Sequence, residues 1–90
     1  MTGKEKLWYL IDELLKGTYK INVFCNEFTR IYDLEVDYDE LSIDENYEFN
    51  KLCEMTARFS DDQEELTIPE MYCSEAKIRD KVNTIVERLK

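Results

Sequence analysis

The chain predicts an all-α fold, and three observations carry that prediction. Two glycines and one proline punctuate 90 residues, so hairpin turns that need positive φ are hard to build. Apolar residues recur at three- and four-residue intervals in four separate stretches. Three of those stretches open on a hydroxyl residue placed to cap a helix: Thr2, Ser42 and Ser74. Four amphipathic helices on short or moderate connections are best buried as an antiparallel four-helix bundle, one domain covering residues 1–90. A chain of this size buries roughly two thirds of the surface its unfolded form exposes, which is enough for one modest core.

Thr2-Gly3-Lys4-Glu5 has capping-box spacing, and Leu7, Trp8, Leu10, Ile11, Leu14 and Leu15 follow at helical intervals. Gly17 is a stop signal, so the first helix is expected from Gly3 to Lys16. A second periodic stretch, beginning near Thr18 or Asn22, puts Val23, Phe24, Phe28, Ile31 and Tyr32 on one face and fades at the acids after Tyr32. Leu34, Val36 and Tyr38 then alternate with Glu35, Asp37 and Asp39, the pattern of a short extended segment or a solvated helical continuation; we read it as a connector. Ser42-Ile43-Asp44-Glu45 is a second capping box, and Phe49, Leu52, Cys53, Thr56 and Phe59 form the stripe of a third helix, Ile43 to Phe59. The polar stretch from Ser60 to Cys73 contains Pro69 and is expected as a loop or a single helical turn. Ser74 caps the last helix, where Ile78, Val82, Ile85, Val86 and Leu89 face inward and Arg88 and Lys90 suit the C-terminal dipole. Trp8, Phe24, Phe28, Tyr32, Phe49 and Phe59 are expected in the core, and Tyr38 and Tyr72 as exposed contacts.

Composition narrows the function. The chain has no histidine, so the commonest general base and the commonest zinc ligand are both missing. Cys25, Cys53 and Cys73 are odd in number and widely spaced, which fits reduced buried thiols and neither a disulfide framework nor a zinc site. No catalytic residues, cofactor or metal are expected, and the chain is not expected to be an enzyme. No apolar run approaches the roughly 18 residues of a membrane span, and the start Met1 to Lys6 lacks a signal peptide's apolar segment; the expected location is the cytoplasm, with no membrane partner.

Charge is the informative feature. Between Asp33 and Glu70 fourteen carboxylates face two bases, Lys51 and Arg58, for a net charge of about −12. Elsewhere seven acids face ten bases. Such segregation costs self-repulsion and focuses a negative field, which suggests a surface gathered on one flank for a basic partner. Direct nucleic-acid binding is not expected at a net charge of −9.

Other chemistries fit less well. Asp33, Glu35, Asp37 and Asp39 resemble the start of a calcium loop, but the glycine position is Tyr38 and the bidentate glutamate position is Asp44. An acyl carrier needs a serine inside an Asp-Ser-Leu triplet, and here the words are Glu40-Leu41-Ser42-Ile43. No nucleophile has a base beside it that would make the carboxylates catalytic. An acidic helical carrier, a metal-binding module and a DNA mimic aimed at another nucleic-acid enzyme remain the alternatives.

Leu10-Ile11-Asp12-Glu13-Leu14-Leu15-Lys16-Gly17, the aromatic helix from Phe24 to Tyr32, Ala57-Arg58-Phe59-Ser60-Asp61-Asp62, and the capped helix from Ser74 to Leu89 together cover most of the chain. In these stretches it resembles the colicin D immunity family, the self-protective partners of bacterial tRNA-cleaving toxins, including immunity proteins of contact-dependent inhibition systems. The resemblance implies a helical bundle, a monomer binding one toxin molecule, whose acidic side chains cover the basic cleft of a ribonuclease. The best-matched acids follow Phe59: Asp61, Asp62, Glu64 and Glu65, with Tyr72 as an aromatic anchor. A second group precedes and opens the third helix: Asp37, Tyr38, Asp39, Glu40, Asp44, Glu45 and Glu48. The strongly acidic Asp33 to Glu40 connector departs from the family pattern.

Overall fold

Thr2 and Glu5 form the reciprocal capping box that the sequence predicts: the Thr2 hydroxyl accepts from the Glu5 amide, and the Glu5 carboxylate accepts from the Thr2 amide at 2.9 Å. Helix α1 accordingly spans Gly3–Lys16 and ends on Gly17, whose φ of 82° is the left-handed cap that lets the chain turn at once into the next element. In this computed structural model, which describes residues 1–68 and 71–90, four more helices follow: α2 Ile21–Leu34, α3 Ile43–Ala57, α4 Gln63–Leu66 and α5 Glu75–Leu89. A 3-10 turn, Tyr38–Glu40, lies between α2 and α3. The described residues contain no strand, only an isolated parallel bridge between Phe59 and Cys73.

The second helix starts at Ile21, between the two expected starts, and runs to Leu34. The ambiguous alternation after Tyr32 resolves into three pieces. Leu34 is the last helical residue and lies outside, Val36 turns in against the core, and Tyr38 opens the 3-10 turn. Helix α3 stops two residues short of the expected Phe59, because the chain there leaves helical geometry to meet Cys73. The Ser60 amide donates to the Cys73 carbonyl at 3.0 Å, and the Cys73 amide donates to the Arg58 carbonyl at 2.9 Å. Asp62 caps the single turn α4 inside the expected loop, and Ser74 caps α5 as expected.

Leu7, Ile11, Leu14, Phe24, Phe28, Phe49, Leu52, Ile78, Val82 and Ile85 are fully buried and form the core. Phe28 sits at its centre, edge-on to Phe49 at 5.9 Å, with Phe24 and Tyr32 on either side. Trp8 and Phe59 pack against this core but are only half-buried, while Leu15 and Val23, placed inside by periodicity, are exposed. All three cysteines are buried free thiols, and burial pushes Cys25 and Cys53 up to about 12, so both are inert as nucleophiles.

Contacts between elements fix their placement. Lys6 of α1 pairs with Glu35, just past α2, at 2.5 Å. Thr29 of α2 and Thr56 of α3 share a hydroxyl hydrogen bond of 2.8 Å. Lys90 reaches Asp12 of α1 at 3.1 Å and lies over the Trp8 ring. A second glycine earns its place by closeness: a Cβ on Gly3 would sit 2.5 Å from the Val36 backbone.

That approach predicts that Gly3→Ala costs about 1–3 kcal/mol in urea unfolding, because backbone and not a flexible side chain must move. An unchanged midpoint would show that the start of α1 does not press on the α2–α3 connection.

Candidate functional site

Ion pairing sorts the acids of this chain into two populations. Outside the acidic segment, Asp12, Glu13, Glu27 and Glu75 are each paired with a base. Inside it, Glu35, Glu45 and Glu48 are paired. Asp33, Asp37, Asp39, Glu40, Asp44, Glu54, Asp61, Asp62, Glu64 and Glu65 enter no ion pair among the described residues. The charge imbalance of the sequence is therefore also an imbalance of the folded surface.

Two of the expected contact residues are structural. Glu48 is 2% exposed and accepts from Lys81 at 2.7 Å and Arg88 at 3.3 Å, both on α5. Glu45 closes the α3 capping box by accepting from the Ser42 amide at 2.9 Å, and its other oxygen accepts from the Trp8 indole at 2.8 Å. Lys4 approaches the same carboxylate at 3.2 Å. Both residues follow the α3 stripe inward, Glu45 four residues before Phe49 and Glu48 four before Leu52, so their carboxylates are committed within the fold. The hydrogen bond from Lys81, working against burial and aided by the charges of Lys81 and Arg88, holds Glu48 below the usual carboxylate range. For Glu45 burial acts upward, but the Ser42 amide, the Trp8 indole and Lys4 outweigh it and the net displacement is downward.

The remaining expected residues lie in two groups, one towards each end of α3. Asp37, Asp39, Glu40 and Asp44 are exposed around the 3-10 turn and the first turn of α3. Asp37 is partly committed there, accepting from the Asp39 amide at 3.0 Å. Asp61, Asp62 and Glu64 are exposed beyond the other end of α3, whose 15 residues rise about 22 Å. Asp62 caps α4, while the half-buried Glu65 accepts from the Ser60 hydroxyl. Interaction with the Glu65 carboxylate pushes the Tyr72 phenol up. Tyr72 is thus half-buried against its own loop. Tyr38 is 46% exposed, but its ring packs 5.2 Å from that of Tyr32 and its hydroxyl donates to the Tyr32 carbonyl at 2.9 Å.

Between the two groups a groove of about 550 Å³ opens along α2 and α3. Tyr32, Asp33 and Tyr38 line one side, with Asn46, Asn50 and Glu54 from α3 on the other. Large apolar side chains flank this face: Leu34 at 79%, Ile43 at 89% and Tyr47 at 55% exposure. Asp33, Glu54, Asn46, Asn50, Ile43 and Tyr47 were not expected in a site. The i, i+4, i+8 spacing of Asn46, Asn50 and Glu54 along α3, beside the apolar stripe, was the signal that could have found the α3 wall. No three His, Cys, Asp or Glu side chains among the described residues converge to hold a metal ion. No described helix is long and apolar enough to cross a membrane. Comparison with protein-family models, with curated proteins and with solved structures returned no match.

Removing a buried acid that holds two bases leaves an uncompensated cation, so Glu48→Ala should cost roughly 3 kcal/mol, the low end for a broken buried pair because Arg88 stays largely in solvent. Asp39→Ala, on the exposed turn, should change stability by less than about 0.5 kcal/mol. Acid titration gives a second check. Folding holds Glu35, Glu45 and Glu48 below the roughly 4.3 of a free glutamate, so the stability they contribute is present above that pH and lost as pH falls through and below it. The urea midpoint of the wild type should therefore drop below about pH 4.3, and Glu48→Gln should flatten that drop. Equal slopes for the two proteins would refute the assignment.

Proposed function

We propose that this chain is an immunity protein, a non-enzymatic stoichiometric inhibitor that neutralises a cognate bacterial nuclease toxin, a tRNA-cleaving ribonuclease, by covering its basic cleft with acidic side chains. The antiparallel four-helix bundle is part of this reading. The chain zigzags so that α1 meets the end of α2, α2 meets the later part of α3, and Phe59 at the end of α3 meets Cys73 at the start of α5. The toxin and the one-to-one monomeric complex come from the resemblance in sequence, and the cytoplasmic location from the lack of an apolar span or signal-peptide segment in the sequence.

One observation carries the proposal: among the described residues ten of the thirteen acids of residues 33–65 enter no ion pair, Glu35, Glu45 and Glu48 being the exceptions, whereas outside residues 33–70 the same chain pairs four of its seven acids. Uncompensated carboxylates contribute to a complex through steering and complementarity, and they contribute little or negatively to the free protein. A cleft built to hold the phosphates of RNA presents the opposite charge. Asp61, Asp62 and Glu64 at one end, and Asp37, Asp39, Glu40 and Asp44 at the other, are the residues free to meet it. The carrier alternative loses ground because the Ser42 hydroxyl accepts from the Glu45 amide at 3.0 Å as a helix cap.

The test is co-purification with the product of the adjacent upstream gene, followed by a tRNA-cleavage assay. A one-to-one complex should form, and cleavage should stop at equimolar protein. Asp61→Lys together with Asp62→Lys should slow association about tenfold at low salt, with a smaller difference at high salt as screening grows. Undiminished cleavage at excess wild-type protein would end the proposal, and wild-type association by the double variant would remove that end of the surface from it.

A further inference from the structure

We infer that the groove between α2 and α3 is a receptor for a single arginine side chain of the partner protein, an inference that rests on the reading of this chain as an acidic inhibitor. Asp33 on α2 and Glu54 on α3 stand on its two walls, and neither has a basic partner among the described residues. Of the nearby bases, Lys51 lies 4.2 Å over the Tyr47 ring in an adjoining hollow, Arg30 is paired with Glu27 and Glu35, and Arg58 donates to the Glu54 backbone carbonyl; none of the three lines the groove.

The walls are fixed in advance. The Tyr32 hydroxyl donates to the Asn46 side-chain carbonyl at 2.6 Å, and the Tyr38 hydroxyl donates to the Tyr32 backbone. The Cys53 thiol, 3.7 Å from Asp33, donates weakly to that carboxylate. Tyr38, held at both ring and hydroxyl, offers its open side as an aromatic face. Carboxylates on opposite walls beside an aromatic face suit a planar cation that donates in two directions and stacks. A lysine ammonium satisfies one carboxylate and cannot stack in the same way. The exposed Leu34, Ile43 and Tyr47 flank this face and would exclude water around the inserted side chain, as neutral residues do around a binding hot spot.

The experiment uses the isotope-labelled full chain and two capped tripeptides, Gly-Arg-Gly and Gly-Lys-Gly, followed through the backbone amide spectrum. The arginine peptide should shift the amides of Tyr38, Asn46, Asn50 and Glu54 at about threefold lower concentration than the lysine peptide. Asp33→Asn together with Glu54→Gln should abolish that difference, whereas Asp61→Asn together with Asp62→Asn should leave it intact. Equal response to the two peptides, or a wild-type response from the groove variant, would overturn the inference. If the groove variant lost its dispersed spectrum, the exposed single change Glu54→Gln would carry the same comparison. Because the peptides replace the toxin, failure here leaves the inhibitor reading standing, and failure to inhibit a toxin leaves the peptide result standing.

Discussion

Helix α3 is held in place by two carboxylates that would, by composition alone, belong on the surface. Glu48 reaches α5 through Lys81 and Arg88, and Glu45 reaches α1 through Trp8 and Lys4. A carboxylate buried against a base is costly to leave unpaired even where the pair adds little net stability, so these contacts disfavour a change in the register of α5 and α1 against α3. Everything on the outer side of α3, including the groove and both acidic ends, takes its orientation from that register. The pairing also explains why the stripe of α3 looks weak in sequence. Its inward face continues through Glu45 and Glu48 before it reaches Phe49 and Leu52, so polar residues occupy positions where periodicity looks for apolar ones.

Local rules carried the sequence reading far. Capping boxes at Thr2 and Ser42 and the glycine stop at Gly17 depend on neighbours within one turn, and they placed the helix starts where they are found. Long-range contacts were illegible. Nothing within one turn of Phe59 says that Cys73, fourteen residues on, will pull the chain out of α3. Likewise the alternation from Leu34 to Asp39 fits two local conformations equally, and packing of Val36 against Gly3 decides among them.

The candidate surface was half legible for the same reason. Charge counting found the imbalance, because total charge needs no geometry. It could not separate acids that hold the fold from acids that face outward, since Glu45 and Glu48 differ from Asp44 and Glu54 chiefly in which side of α3 they occupy. Nor could it find the groove, whose walls come from two helices and whose aromatic side, Tyr32 and Tyr38, is assembled across a turn. What the sequence treated as one acidic surface is resolved into two acidic ends of α3, with Asp33 and Glu54 lining the groove between them.

The chain departs after Arg58 and returns at Cys73 through one pair of backbone hydrogen bonds. Because both bonds use main-chain atoms, the base of the excursion is stitched without regard to side chains, although Ser60, Asp62 and Glu65 add side-chain bonds within it. Lineages could exchange Asp61, Asp62 or Glu64 for other residues and leave the stitched base, and the four long helices behind it, undisturbed. A scaffold of this kind lets the side chains at one end vary while the folding code stays constant, which would suit the proposed inhibitor if its counterpart itself changes.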